Sequence, residues 1–228
     1  QRPELCGNAE HFVHMMKHKM LNLHMPSLMV AMNELSNHDH SRFLTRTNMR
    51  TGRIETDGSA SAAEGIDKAV MREAVLLQMT WLGAPTVYYG DEAGLVGWTD
   101  PDNRRTYPWG KEDQELIEFH RKAIMVRKEH PVLRQGSLLH LYGEDGVIAY
   151  GRFDQTDKCL IVLNNEDEDR TISVPVWKIG MKLETDLENC LLTDRDGFTD
   201  DAFLCPVKDG FVELTMPPKS AVVLKEVD

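Results

Sequence analysis

The apolar residues of this chain change period once, near Pro131, and that switch constrains the fold more than any other feature. Before it, apolar residues recur at helical spacing between short apolar runs; after it they alternate. Residues 8–23 carry Phe12, Met15, Met16, Met20 and Leu23 as one stripe, which predicts a helix. Residues 27–35 form an apolar run that stops at Ser36-Asn37-His38-Asp39, predicting a buried strand ending in a loop. Residues 51–64, rich in Gly, Ser, Thr and Ala, predict an exposed loop. A helix follows over 66–82, with Ile66, Ala69, Val70, Ala74, Leu77 and Trp81 on one side and Gly83 at its end. A strand at 86–89, a loop at 91–110 and a helix at 112–128 complete this part. Helix, strand, loop, helix, strand, loop, helix is the order of βα units on a parallel sheet.

From residue 133 the chain predicts strands at 137–142, 147–153, 159–163, 171–174, 187–192, 211–214 and 221–225, separated by turn signals such as Gly143-Glu144-Asp145-Gly146 and Lys208-Asp209-Gly210. Short strands without helices predict an antiparallel sandwich or small barrel. Two domains are therefore expected, residues 1–131 and residues 132–228.

Charge and cysteine usage narrow the function. Lys and Arg number 26 against 37 Asp and Glu, a net charge of −11. That acidity argues against a nucleic-acid surface, which needs clustered cations. No apolar run approaches the roughly 20 residues of a membrane span. Cys6, Cys159, Cys190 and Cys205 form no C-x-x-C pair, so reduced thiols and a cytoplasmic setting are expected. The chain begins at Gln1 with no leader pattern, which predicts processing or a piece of a longer protein and leaves export open.

Two loops concentrate chemistry. Asn37-His38-Asp39 follows a strand of a βα unit, where parallel α/β folds place their active sites. A ring nitrogen beside a carboxylate suits a polyhydroxylated ligand; a loop-capping Asp with a surface His fits the same spacing. The loop at 91–110 holds Asp91, Glu92, Asp100, Asp102, Arg104 and Arg105 among Trp98, Tyr107 and Trp109. Rings that stack on a sugar and polar groups that take its hydroxyls would look like this, and so would a solvated acidic loop. Metal sites are not expected. His11, His14 and His18 share a helix face but lack a fourth ligand, and Asp194, Asp196, Asp200 and Asp201 miss the calcium-loop spacing.

Residues 32–44, M-N-E-L-S-N-H-D-H-S-R-F-L, resemble the last short motif of the α-amylase superfamily of glycoside hydrolases. Residues 83–109, G-A-P-T-V-Y-Y-G-D-E-A-G-L-V-G-W-T-D-P-D-N-R-R-T-Y-P-W, resemble that family's eighth strand and its loop, most of all in the neopullulanase, cyclomaltodextrinase and α-glucosidase branch. The resemblance implies α/β plus all-β architecture: the carboxy-terminal part of a (β/α)8 TIM barrel, about strands 7 and 8 with flanking helices, followed by an antiparallel β-sandwich. It implies action on α-glucans or maltooligosaccharides with retention of configuration. Asp39 matches the third essential carboxylate, which stabilises the transition state, and His38 would hydrogen-bond the same sugar; these are the catalytic residues carried over. Asp100 and Arg104 match a substrate-binding pair for the neighbouring sugars.

The nucleophile and the acid/base of the family lie upstream of His38-Asp39, and residues 1–37 contain no match to either; Glu4, Glu10 and Glu34 do not fit. The chain alone is therefore expected to be inactive. No cofactor is implied; the family accommodates calcium, but no site for it is recognisable here. The barrel remnant is expected to pair with the missing amino-terminal part or with a copy of itself, and the sandwich to fold independently. A non-catalytic carbohydrate-binding module and a transglycosylase of the same family remain the alternatives.

Overall fold

A computed structural model describes residues 7–227; Glu4 and Cys6 lie outside the described residues. The first helix, α1 (Ala9–Leu21), begins where the Asn8 side chain accepts the His11 amide at 2.7 Å. Phe12, Met16 and Met20 of the expected stripe pack on the core, whereas Leu23 lies beyond the helix, exposed.

The expected strand over 27–35 is divided. Its first part belongs to the short helix α2 (Met25–Met29), with Pro26 in its first turn, and the strand β1 is only Met32–Glu34. The loop over 51–64 follows the short helix α3 (Phe43–Arg46) and contains two turns of its own, α4 (Ile54–Asp57) and a 3₁₀ turn at Ala60–Ala63.

Helix α5 (Lys68–Thr80) starts at Asp67, whose carboxylate accepts the amides of Ala69 and Val70. Of the expected side, Ala69 and Trp81 are buried and Ile66 and Leu77 pack on the core, but the helix buries more than that side. Met71, Val75, Leu76 and Met79 are the fully buried positions, and Val70, Ala74 and Leu77 are half-buried along a cavity of about 260 Å³ beside α1. The helix is covered on several sides, so a single-stripe reading could not choose among them. Strand β2 (Ala84–Thr86) is displaced by two residues from the expected 86–89. It pairs in parallel with β1, Met32 opposite Ala84 and Glu34 opposite Thr86. Gly83 enters this strand at a positive φ of 109°, and a Cβ there would stand 2.6 Å from the Ala31 carbonyl, so the close approach needs glycine. Gln78 of α5 donates to the carbonyls of both Asn33 and Thr86, and Asn33 donates back to Gln78, fixing the two strands to the helix.

Helices α6 (Gln114–Glu129) and α7 (Val132–Gln135) lead into nine strands: β3 (Ser137–Glu144), β4 (Val147–Phe153), β5 (Lys158–Asn164), β6 (Arg170–Pro175), β7 (Thr185–Asp194), β8 (Gly197–Thr199), β9 (Leu204–Lys208), β10 (Phe211–Met216) and β11 (Ser220–Glu226). The pairing is antiparallel throughout, in the order β3-β4-β5-β11-β7-β9-β10-β6, with β8 on β7. All seven expected strands are present; β8 and β9 were not anticipated. The strands enclose one core around Val162, Val174, Leu187, Val212 and Leu224. A second core joins Val75, Met79 and Phe119 of the helices to Tyr150, Ile161, Leu191 and Val223 of the strands. No helix among the described residues is long and apolar enough to cross a membrane.

Candidate functional site

The two motifs meet at the carboxyl ends of β1 and β2. Asn37 shapes the first loop: its side-chain oxygen accepts the amides of Asp39 at 2.9 Å and His40 at 3.2 Å, and its amide donates to Glu34 at 2.6 Å. This turn holds His38 and Asp39 outward, with 61% and 66% of their side chains exposed and Nε2 of His38 3.3 Å from Oδ1 of Asp39. Both side chains face solvent.

The second loop is stitched to the first by Asn103, whose amide donates to the carbonyls of Asn37 at 3.2 Å and His40 at 2.7 Å. Those carbonyls flank His38-Asp39 on either side. Asn103 sits in a 3₁₀ turn, Asp102–Arg104, and its neighbour Arg104 pairs with Asp100 at 2.6 Å. Asp100 and Arg104 thus stand next to the residue that holds the His38-Asp39 turn, both about half exposed.

Arg42 is the buried post behind this arrangement. Its Nε donates to the Asn103 carbonyl, and its Nη1 to the Tyr89 carbonyl at 2.5 Å and to Asp91 at 3.0 Å. Its guanidinium lies 4.1 Å from the Tyr88 ring centre and 4.8 Å from that of Tyr89. Burial pushes the Asp91 carboxyl up, while hydrogen bonds from Ser36 and Arg42 pull against it. Asp91 is therefore a support for the loops, and the expectation that it faces a sugar is withdrawn.

Trp98 is withdrawn for the same reason. It is 1% exposed and its indole donates to the Gly58 carbonyl at 3.1 Å. Asp102 is also structural: against the cost of its burial, hydrogen bonds from Arg105, the Trp98 amide and Ser59 hold its pKa below the ordinary carboxylate value. The exposed aromatic surface of this loop is Trp109, 81% exposed, with the Tyr107 ring 4.5 Å away. Of the eight polar and aromatic groups in that loop besides Glu92, the sequence could not separate those facing outward from those facing in, because Arg42 and Asn103, which sort them, look like ordinary polar residues.

His14 and His18 of α1 stand in solvent. Asp194 caps a hairpin by accepting the amides of Asp196 and Gly197, and Asp200 pairs with Lys122 at 2.5 Å.

Comparisons with known proteins agree with the two-part architecture. Residues 5–109 match the family described as alpha amylase, catalytic domain, and residues 141–227 match alpha amylase, C-terminal all-beta domain. An amylopullulanase of Thermoanaerobacter thermohydrosulfuricus is 34% identical over 76% of this chain and 12% of its own length. Neopullulanase 2 of Thermoactinomyces vulgaris is 33% identical over 84% of this chain and 28% of its own. The solved structure of a cyclomaltodextrinase superposes with a TM-score of 0.76 at 28% identity, covering 98% of this chain and 34% of that one. The chain thus spans between 12% and 34% of the length of these relatives.

Proposed function

The chain belongs to the α-amylase family, in its neopullulanase and cyclomaltodextrinase branch, and from that we propose that it is the substrate-holding, carboxy-terminal part of a retaining α-glucan hydrolase. The barrel part is residues 1–131 and the sandwich 132–228. The observation that carries this reading is Asn103, which bonds the carbonyls on either side of His38-Asp39 from the turn that also bears Arg104. One polar residue thereby joins the two ligand-facing loops at the ends of adjacent parallel strands.

Asp39 is the carboxylate that holds the hydroxyls of the sugar at the cleavage point and favours its distorted, oxocarbenium-like geometry. His38, beside Asp39, hydrogen-bonds the same sugar. Asp100 and Arg104, in place of bonding only each other, take hydroxyls of the next sugars. Residues 1–37 hold no match to the family's nucleophile or acid/base, so these 228 residues hold a glucan without cleaving it.

Calorimetry with a maltooligosaccharide series, run beside a nitrophenyl maltoside assay, tests this. The expected result is weak binding that Asp39→Ala and Arg104→Ala each reduce, with no turnover above buffer. Robust turnover by the purified chain, or binding untouched by both substitutions, overturns it.

A further inference from the structure

We propose that His130, Asp157 and Cys159 bind a zinc-type divalent cation at the seam between helix α6 and the sheet. The three come from separate places: His130 is the residue that ends α6, Asp157 lies in the turn between β4 and β5, and Cys159 is the second residue of β5. Their ligand atoms nonetheless converge. One ring nitrogen of His130, one carboxylate oxygen of Asp157 and the Cys159 sulfur all lie within 4.8 Å of one another. Imidazole, carboxylate and thiolate together are the donor set of Zn²⁺, and too soft for Mg²⁺ or Ca²⁺.

The spacing of the imidazole and the carboxylate fits a shared cation as well as an ion pair. Nδ1 of His130 is 3.2 and 3.3 Å from the two oxygens of Asp157. A charge-assisted hydrogen bond closes to about 2.7–2.9 Å. Two donors each about 2.05 Å from one tetrahedral ion stand about 3.3 Å apart. Closing the sulfur onto the same ion needs a contraction of about 1 Å, within reach of a side-chain adjustment at His130, whose ring is at the surface edge of the cluster.

Two further features hold the cluster in place. The Asp157 amide donates to Asp154 at 2.9 Å, and the Asp154 amide to the Asp157 carbonyl at 3.0 Å, closing the turn that presents the carboxylate. On the far side of the imidazole, Nε2 of His130 lies 3.6 Å from the sulfur of Cys190. Cys190 sits where the pairing of β7 with β11 slips: Val223 faces Leu191 and Leu224 faces Asn189, leaving Cys190 as the extra residue of a bulge. A bulge re-aims a side chain out of the regular alternation. Cys190 then accepts from Nε2–H and leaves Nδ1 to the ion, a positioning role like that of the carboxylates behind metal-bound histidines. The side chains of His130 and Asp157 are 14% and 22% exposed, which leaves a path for the ion and a solvent molecule in the fourth position. On binding, the Cys159 thiol releases its proton to solvent and the sulfur bonds the ion.

The test uses the full chain stripped with a chelator and then titrated with Co²⁺, whose visible spectrum reports tetrahedral ligands and a thiolate bond, followed by displacement with Zn²⁺. The expected result is one ion per chain, a thiolate charge-transfer band, and a rise in Tm that the chelator reverses. His130→Gln and Asp157→Asn weaken binding at least tenfold, Cys190→Ser weakens it less, and Cys205→Ser leaves it unchanged. Circular dichroism checks that each variant folds, and Asp157, in the turn outside the strands, provides the variant that keeps the core intact. Absence of the charge-transfer band at saturating Co²⁺, or binding lost in a His11→Gln/His14→Gln/His18→Gln chain and retained in His130→Gln, overturns the proposal.

Discussion

Glu73 is buried in α5 with its Oε1 unpartnered, on the wall of the cavity shared by Phe12, Val70 and Leu77. Burial drives its carboxyl pKa well above the ordinary value, with Lys219 opposing this from a distance. The folded chain therefore keeps this proton to higher pH than the unfolded chain does, and stability falls as pH rises above 4.5. Replacing it with an apolar group of similar size removes that loss: Glu73→Leu raises stability by about 1–3 kcal/mol at neutral pH. Thermal melts at pH 5 and pH 8 check it, with a larger gain expected at pH 8; an equal gain at both would show that ionisation plays no part. His140 works in the opposite direction. Its two ring nitrogens are buried without partners, its ring lies 5.5 Å from Trp81, and burial, with Lys17 nearby, lowers its pKa to about 4. The unfolded chain takes up a proton below pH 6.5 where the folded one does not until about 4, so stability drops through that window as pH falls. His140→Phe should flatten this limb of the pH–stability curve, and an unchanged limb would place the acid sensitivity elsewhere.

The elements differ in how far they can be read from sequence. Strand β4 lies between two clear turn signals, Gly143-Glu144-Asp145-Gly146 and Gln155-Thr156-Asp157, and its expected and observed limits coincide at Val147–Phe153, while the remaining six expected strands differ only at their ends. Strands β8 and β9 escaped because the first has three residues and the second carries Pro206 in its middle, where apolar alternation and β-propensity both fail. The barrel strands were harder for a different reason. Met32–Glu34 is exposed at its two ends and half-buried at Asn33, because among the described residues it pairs with β2 on one side only. The exposed loop at His38-Asp39 was legible from its motif, while the buried Arg42–Asp91 pair and the Asn103 stitch behind it were not, since nothing in their spacing marks them as buried. The cluster at His130, Asp157 and Cys159 matches no ligand spacing and was unreadable for the same reason. Among the described residues β1 and β2 pair only with each other, and Leu21, Met25, Val30 and Met32 expose apolar surface beside β1. Unpaired edges next to apolar surface recruit further strands. The chain should therefore self-associate with rising concentration, and Val30→Lys/Met32→Lys should shift sedimentation toward the monomer. A monodisperse wild-type monomer across the range would count against pairing through this edge.

At the scale of the whole molecule, the two parts share a core rather than touching at a hinge. Arg152 of β4 donates to the carbonyls of Thr80, Leu133 and Gly136, and Arg127 of α6 to those of Met79, Leu133 and Gly83. Arg72 of α5 reaches Thr193 and the Asp194 carbonyl of β7 and Glu115 of α6. The Tyr150 hydroxyl lies 2.6 Å from that of Thr80. These side chains bind helix ends to the strands, and between them Met71, Val75 and Met79 cover Tyr150, Ile161 and Val223. A piece comprising residues 132–228 keeps the enclosed core around Val162 and Val212, so it should fold. It also bares Tyr150, Ile161, Leu191 and Val223, and leaves Arg152 buried without the Thr80 carbonyl. Losing even about 1 kcal/mol from a unit of this size lowers Tm by about 4–8 °C. The expected outcome is a cooperative melt below that of the whole chain, with binding of an apolar dye to the native piece. Equal melting temperatures and no dye binding would mean that the helices merely rest on the strands, and that the loops bearing His38 and Asp39 are anchored within the barrel part alone.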